Sequence, residues 1–346
     1  MKEWSGLKRA MVGLVGALVV GLLGINGCVL FEDEMTARGR KLYEHYCMHC
    51  HGENGRQGEG YNWEHMPDPR PRDLSESSTM STFSDEEIFN TISRDMRDTT
   101  DPAVIDDEDY FAVATMPTFK YTLSEKELWS IVGYVRRLHG GSLTYDVEGR
   151  RKQLEAELAA AQQEHDQAKQ AMEAALAKLE EEEAARAEEA DEENFDDDEE
   201  YEEVVLPEEE TYERAVAKLE AAKQALENFT KRPKRTQISP PDFSSFSEEE
   251  RATLARQGKH LYFNKYGCHA CHSIGGEGGV VGPVLDRAGF RLNKTWIYRW
   301  ILYPQGIKKH TRMPNLGISE SDAIALTMFL DTLRAPRPDH PIPPPE

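Results

Sequence analysis

Residues 45–52 read HYCMHCHG, and residues 266–273 read YGCHACHS. Four of the five cysteines in the 346-residue chain are spent on these two stretches, each as Cys-x-x-Cys-His: Cys47, Cys50 and His51, then Cys268, Cys271 and His272. The flanks repeat as well. GRKLYEHYCMHCHGENGRQGEG and GKHLYFNKYGCHACHSIGGEGG align Gly39 with Gly258, Leu42 with Leu261 and Tyr43 with Tyr262. A Met-Pro pair follows each motif, Met116-Pro117 and Met313-Pro314, and an amphipathic helical pattern follows each pair. Self-similarity in this order marks an internal repeat of two helical units.

The helical patterns carry their own start signals. In FSDEEIFNTISRDM, Ser84 is placed as an N-cap, with Ile88, Phe89 and Ile92 on one face. LSEKELWSIVGYVRRLHG has Ser124 and Glu127 at capping-box spacing and an apolar stripe of Leu128, Ile131, Val132 and Val135. In the second unit ISESDAIALTMFLDTLR opens on Ser319 with Asp322 three residues on.

Paired cysteines serve several chemistries. A dithiol redox site sits at a helix start directly behind a strand and has no use for the adjoining histidine; neither motif follows a strand pattern. A structural zinc site needs four ligands, whereas each unit offers two thiolates and scattered histidines. Covalent haem accounts for the spacing. Cysteines three apart share one turn, where both sulfurs reach one porphyrin edge, and the adjacent histidine turns its imidazole towards the iron. The sixth ligand then comes from a segment far enough along to wrap around the ring. Met116 lies 69 residues after Cys47, and Met313 lies 45 after Cys268. A thioether in a proline-stiffened loop suits that position, being a neutral ligand that raises the potential. In the first unit Met66, Met80 and Met96 are the competing methionines.

Both units resemble class I cytochromes c. In the first copy Tyr46, Cys47, Cys50, His51, Met116, Pro117, Trp129 and Tyr134 match the pattern, with Gly39 and Tyr43 at a helix crossing. In the second, Cys268, Cys271, His272, Gly282, Pro283, Met313, Pro314 and Phe329 match, with Gly258 and Tyr262 at the crossing. The resemblance implies an all-α fold in which an N-terminal helix ends in the haem motif and a C-terminal helix crosses it. It also implies two covalently bound haem c groups, with His51 and Met116 on one iron and His272 and Met313 on the other. In this family the Gly-Pro after the motif helps to hold the proximal histidine through a backbone hydrogen bond. Gly282-Pro283 fits, while the first copy has no such dipeptide, which leaves the partner of His51 open. In the run TWIYRWILYPQG, some of Trp296, Tyr298, Trp300 and Tyr303 are expected to wall the second haem.

The rest of the chain divides around these units. Residues 1–31 form a transmembrane anchor or a lipoprotein signal, 32–146 the first cytochrome c domain, 147–235 an insertion, 236–335 the second domain, and 336–346 a proline-rich tail. From Ala10 to Phe31 the sequence is apolar but for Asn26, and 22 residues of helix rise about 33 Å, enough to cross a bilayer. Basic residues precede this run and acidic ones follow it, which places the remainder outside the cytoplasm, on the periplasmic side of a bacterial inner membrane. INGC resembles a lipobox, and cleavage there would leave Cys28 as a lipidated N-terminus.

The insertion carries a coiled-coil a/d pattern through Leu154, Leu158, Ala161, His165, Ala168, Met172, Ala175 and Leu179, and again through Tyr212, Ala215, Leu219, Ala222, Leu226 and Phe229. The two helices are expected to pair as an antiparallel hairpin or with a partner helix. Between Glu180 and Glu203 stand 16 acidic residues against one arginine, which excludes nucleic acid as a partner there.

Irons with both axial positions filled have no place for a substrate, so the expected chemistry is one-electron transfer, and no catalytic residue is assigned. The expected role is a membrane-attached dihaem cytochrome passing electrons between a membrane redox complex, respiratory or photosynthetic, and a periplasmic carrier. The alternative is a dihaem oxidoreductase of the peroxidase or sulfur-compound oxidase type, with one catalytic haem.

Overall fold

The computed structural model describes residues 33–66, 68–95, 116–189, 206–235 and 238–335. The expected anchor with Cys28, the acidic stretch from residue 190 on, Met96 and the tail at 336–346 lie outside the described residues. Among the described residues no helix is long and apolar enough to cross a membrane.

The N-terminal unit consists of α1 (Glu34–Tyr46), a single turn α2 (Met48–His51), α3 (Ser77–Met80), α4 (Asp85–Ser93) and α5 (Glu125–Leu138). The Asp33 carboxylate starts α1 by accepting from the Thr36 backbone N–H at 2.9 Å. Full capping boxes start α4 (Ser84 with Glu87) and α5 (Ser124 with Glu127). Each satisfies donors that a helix start leaves open, which is worth about 1 kcal/mol. The α5 stripe of Leu128, Ile131, Val132 and Val135 is buried against α1.

The insertion is a pair of helices, α6 (Val147–Glu189) and α7 (Pro207–Thr230), lying against each other. Leu154, Ala161 and Ala168 of α6 and Ala215, Leu219 and Phe229 of α7 are buried. Lys218 pairs with Glu164, and the rings of His165 and Tyr212 lie 5.4 Å apart, so the two helices run antiparallel. With 43 residues against 24, α6 runs on past its partner, and Leu176 is 42% exposed there. At the other end Val147, Leu154 and Phe229 join the core of the N-terminal unit.

Two polar arrangements fasten that base. Arg136 donates to Asp85 at 2.5 Å and to the carbonyls of Met80 (3.1 Å) and Phe83 (2.6 Å), with both side chains of the ion pair buried. The same carboxylate accepts from the Thr144 N–H (2.7 Å), the Thr144 hydroxyl (2.6 Å) and the Tyr145 N–H (3.0 Å), which anchors the strand of chain leading into α6. Trp129 is stacked between Tyr145, at 3.7 Å, and Phe89, at 4.2 Å. Beyond α7, Arg232 forks onto Glu127 at 2.8 and 2.9 Å, and Arg38 reaches the same carboxylate.

The C-terminal unit contains α8 (Glu248–His260), α9 (Ala288–Arg291), α10 (Lys294–Leu302), α11 (Pro304–Ile307) and α12 (Glu320–Thr332). It has its own core, centred on Tyr262, Tyr266, Tyr298, Leu302 and Leu326. A two-residue antiparallel pairing, β1 (Ser273–Ile274) with β2 (Glu277–Gly278), follows the second cysteine motif; the all-α expectation did not include it.

The helix crossing is built the same way in both units. A Cβ on Gly39 would stand 1.9 Å from the Ser130 carbonyl oxygen, and one on Gly258 would stand 2.0 Å from that of Ala325. Only glycine lets the helix backbones approach so closely. One turn on, Tyr43 packs on Tyr134 with ring centroids 5.2 Å apart and a 54° tilt, and Tyr262 packs on Phe329 at 5.5 Å and 58°. The sequence repeat is thus a repeat of packing. It is not perfect, because ten residues separate Gly258 from Cys268 against eight between Gly39 and Cys47. A π-helical turn over Leu261–Lys265 and the left-handed Gly267 (φ 56°) absorb the two extra residues.

Candidate haem-binding sites

Each cysteine motif opens onto a cavity. In the N-terminal unit the cavity holds about 330 Å³ and is lined by Cys47, Cys50 and His51, with apolar walls from Leu74, Phe83, Ile88, Ile131 and Val135. The cavity of the C-terminal unit holds about 590 Å³ and is lined by Cys268, Cys271 and His272, with Trp296, Trp300, Leu316 and Leu326 among its walls. Both volumes fall in the range of ligand pockets, about 300–1,000 Å³.

The cysteines are not joined as disulfides. Burial pushes the thiols of Cys47, Cys268 and Cys271 up to about 12, and neighbouring cysteines add to the effect at Cys47 and Cys271. Burial raises Cys50 too, against an opposing hydrogen bond from Asn62. Such thiols stay neutral at physiological pH, which does not suit a thiolate redox pair. Among the described residues no group of three or more His, Cys, Asp or Glu could hold a metal ion. Thioether formation removes the ionisable proton altogether, so burial in an apolar wall is no obstacle to it.

The two histidines are held alike by different segments. His272 Nδ1 bonds the Pro283 carbonyl at 2.8 Å, and the preceding Gly282 passes so close that a Cβ would meet the imidazole at 2.2 Å. His51 Nδ1 bonds the Arg72 carbonyl at 3.1 Å. The segment Pro69-Arg70-Pro71-Arg72 therefore does for His51 what Gly282-Pro283 does for His272, from a loop twice as long. In both, the bonded Nδ1 leaves Nε2 as the free ring nitrogen. Burial lowers both imidazoles' affinity for a proton, favouring the neutral, ligating form.

Met116 lines the first cavity and Met313 the second. Met66 and Met80 also line the first cavity and are buried. Arg94 donates to the Met116 carbonyl, tying the methionine loop to the end of α4. Trp300 Nε1 donates to the Met313 sulfur at 2.9 Å, and Gln305 donates to its carbonyl at 2.8 Å. Of the aromatic run, Trp296 and Trp300 face the second cavity, stacked at 5.1 Å, while Tyr298 is buried in the core.

Arginines were missed as site residues from the sequence. Arg70, Arg72, Arg94 and Arg312 all line the first cavity, and Arg94 Nε is buried with no hydrogen-bond partner among the described residues. An unpaired buried guanidinium N–H is costly, and a haem propionate is the kind of acceptor that would satisfy it. Two attachment thiols, a neutral imidazole with one nitrogen free, apolar walls and this orphaned donor together fit haem c in the first site. The second offers the same thiol and histidine set.

A family comparison matches residues 34–135 to cytochrome c oxidase, cbb3-type, subunit III. The chain is also similar to "Cytochrome c oxidase subunit 2" of Alkalihalophilus pseudofirmus (strain ATCC BAA-2126 / JCM 17055 / OF4), 34% identical over 96 residues. That match takes in 25% of this chain and 28% of the relative, so the chain spans little more than a quarter of the protein it resembles. No solved structure matches the chain. Residues 34–135 are a c-type cytochrome domain like that of the cbb3-type oxidase subunit III, the kind of domain that binds haem c covalently and transfers electrons.

Proposed function

We propose that the chain is a dihaem c-type cytochrome that carries single electrons at the periplasmic surface of a bacterial inner membrane, as a subunit of a respiratory or photosynthetic electron-transfer complex. The observation that carries the reading is the repetition of one site plan: a cysteine pair and a carbonyl-bonded histidine on one side of a cavity, with a Met-Pro loop on the lining. The C-terminal unit, residues 236–335, is on this reading a second cytochrome c domain. Its ligands would be His272 and Met313, beside His51 and Met116 in the first.

Bound haem supplies a one-electron iron couple, and methionine ligation favours its reduced state. The chain's own residues hold and orient it. Cys47, Cys50, Cys268 and Cys271 attach it, the carbonyls of Arg72 and Pro283 fix the two imidazole planes, and the apolar walls keep water out. Arg94 meets acidic substituents at the first site. The likeness to oxidase subunits supports a membrane respiratory complex as partner. The apolar run at 10–31, retained as a helix or replaced by a lipid on Cys28, is the proposed attachment.

A redox titration of the purified holoprotein in detergent, followed through its visible spectrum, tests this. Two low-spin centres of comparatively high potential, both with the long-wavelength band of methionine-ligated ferric haem, are expected. A high-spin or strongly low-potential centre contradicts the two-methionine assignment and makes catalysis at that haem the reading to pursue.

A further inference from the structure

The two cavities share a wall. Cys271 and Pro314 line the cavity of the N-terminal unit, and Pro117 lines that of the C-terminal unit. The methionine loops meet: the Asn315 N–H donates to the Thr122 hydroxyl at 2.8 Å, and that hydroxyl lies 3.4 Å from the Asn315 carbonyl. The haem-attachment segments meet as well, through one residue.

Asn62 is wholly buried, at 0% exposure, in the loop that follows the first motif. Its backbone N–H donates to the His49 carbonyl at 3.0 Å, and its side-chain Nδ2 donates to the Ala270 carbonyl at 2.8 Å. His49 and Ala270 are equivalent positions, each directly preceding the second cysteine of its motif. A single residue thus bonds the same carbonyl in both copies of Cys-x-x-Cys-His, its own with the main chain and the other with the side chain. Both ends of the amide have partners. Oδ1 accepts from the Val280 N–H at 2.7 Å, and Nδ2 also lies 3.5 Å from Cys50 Sγ. The carboxamide therefore stands between a sulfur of the first attachment site and the backbone beside Cys271. A thioether at Cys50 retains the sulfur's weak acceptor capacity.

An apolar residue at position 62 would remove the donor to the buried Ala270 carbonyl and the acceptor of the Val280 N–H, and a buried polar group left without its partner is costly. A polar group made to satisfy both can do so in one relative placement of the two segments only, and buried polar networks of this kind set specificity of docking. Burial, partners at both ends of the amide and equivalence of the bonded carbonyls together distinguish Asn62 from an ordinary loop asparagine.

We propose that Asn62 is a positioning residue that clamps the two haem-attachment segments to each other, so that the two sites form one rigid pair. The inference rests on the dihaem reading above. It goes beyond that reading in making the mutual placement of the two haem-attachment segments depend on a single carboxamide.

The test uses the full-length holoprotein and its Asn62→Leu variant, which keeps a similar volume and removes both polar functions. Haem per chain is counted after denaturation, and the Soret circular-dichroism couplet, which reports two haems held in fixed mutual orientation, is measured on the folded protein. Two haems per chain in both proteins, with the variant's couplet reduced by roughly twofold or more, are expected from loosening a supporting contact. The rate at which an electron injected by flash photoreduction equilibrates within the protein is expected to fall in parallel. If the leucine variant loses haem, Asn62→Asp is read the same way: it keeps shape and the acceptor for Val280 but opposes a carboxylate to the Ala270 carbonyl. Two haems with no couplet in the wild type, or with one that the variants leave unchanged, overturn the clamp alone. One haem per wild-type chain overturns the dihaem reading, and the clamp with it.

Discussion

The N-terminal and C-terminal units share a helix crossing and a site plan, yet they reach them by different routes. In the C-terminal unit the partner of the histidine ring comes from Pro283, eleven residues on, and the methionine sulfur is held by Trp300. In the N-terminal unit the corresponding carbonyl belongs to Arg72, twenty-one residues on, and the methionine loop is tied by Arg94 to the end of α4. The N-terminal unit also carries the insertion, fastened by Asp85–Arg136, by Glu127 with Arg38 and Arg232, and by the Trp129 stack. What recurs is two thiols on one turn, a fixed imidazole and a close crossing of helices, which is what the proposed covalent attachment would demand of both units. What differs is loop length and the load each unit bears. The lesson is that a constrained site tolerates unconstrained scaffolding wherever a backbone carbonyl can be supplied from more than one place.

The asymmetry can be broken most strongly at Asp85. Asp85→Ala leaves the Arg136 guanidinium buried with its charge partner gone, and the loss of one member of a buried pair costs about 3–5 kcal/mol. Chemical unfolding should show the N-terminal unit and the hairpin losing stability together while the C-terminal unit, with its separate core, holds. A loss below about 1 kcal/mol, or one spread evenly over both units, would contradict the division of cores described here.

The symmetry can be broken at the crossings. Gly39→Ala and Gly258→Ala each force a Cβ against a backbone carbonyl and should cost about 1–3 kcal/mol, alike in the two units. Thermal unfolding of the two variants side by side checks this; a tolerated alanine at either site would mean that the crossings are not equivalent.

Acid sharpens the contrast by a smaller amount. Burial tends to raise the carboxyls of Asp85 and Glu127, but hydrogen bonds from Thr144 and Arg136 to the first, and from Arg232 and Arg38 to the second, leave both below their ordinary values. Depressed carboxyl groups contribute stability that is complete above their unfolded values and is lost as pH falls through the folded ones. The depressed carboxyls of the C-terminal unit, Asp242 and Glu250, are exposed and count for less, so the N-terminal unit should weaken faster than the C-terminal unit in the window below about pH 5. Melting temperatures measured across that window, with Asp85→Asn flattening the N-terminal slope, check the sign.

The smallest change is at the second methionine. Trp300→Phe removes the N–H bonded to the Met313 sulfur, a net loss of about 1 kcal/mol, and keeps the aromatic wall. It should alter the methionine–iron absorption band of the second site and leave that of the first untouched. A change confined to the first would contradict the pairing of Met313 with the C-terminal site.

Much of this was legible because it rests on spacing and local patterns. Cys-x-x-Cys-His, the aligned Gly39 and Gly258, and Ser84 and Ser124 as helix starts all follow from short-range rules that a sequence displays. The Arg72 carbonyl was not legible, since every residue has a carbonyl; Pro69 and Pro71 hint at a stiff loop but do not say where it lies. The alanine-rich seam of α6 and α7 was compatible with self-pairing or with a partner helix, and the choice rests on how Phe229 and Val147 enter the core of the N-terminal unit. Asn62 carried no signal at all. One polar residue after a glycine-rich loop acquires meaning only when a segment more than 200 positions away is folded against it.

The most direct test of the central claim is the number of haem groups that remain bound to one chain after full denaturation, measured by intact mass for the wild type and for two double variants, Cys47→Ala with Cys50→Ala and Cys268→Ala with Cys271→Ala. Two groups on the wild type and one on each variant are predicted. A single group on the wild type, unaffected by removal of Cys268 and Cys271, would contradict the account and reduce the C-terminal unit to a helical repeat without the cofactor.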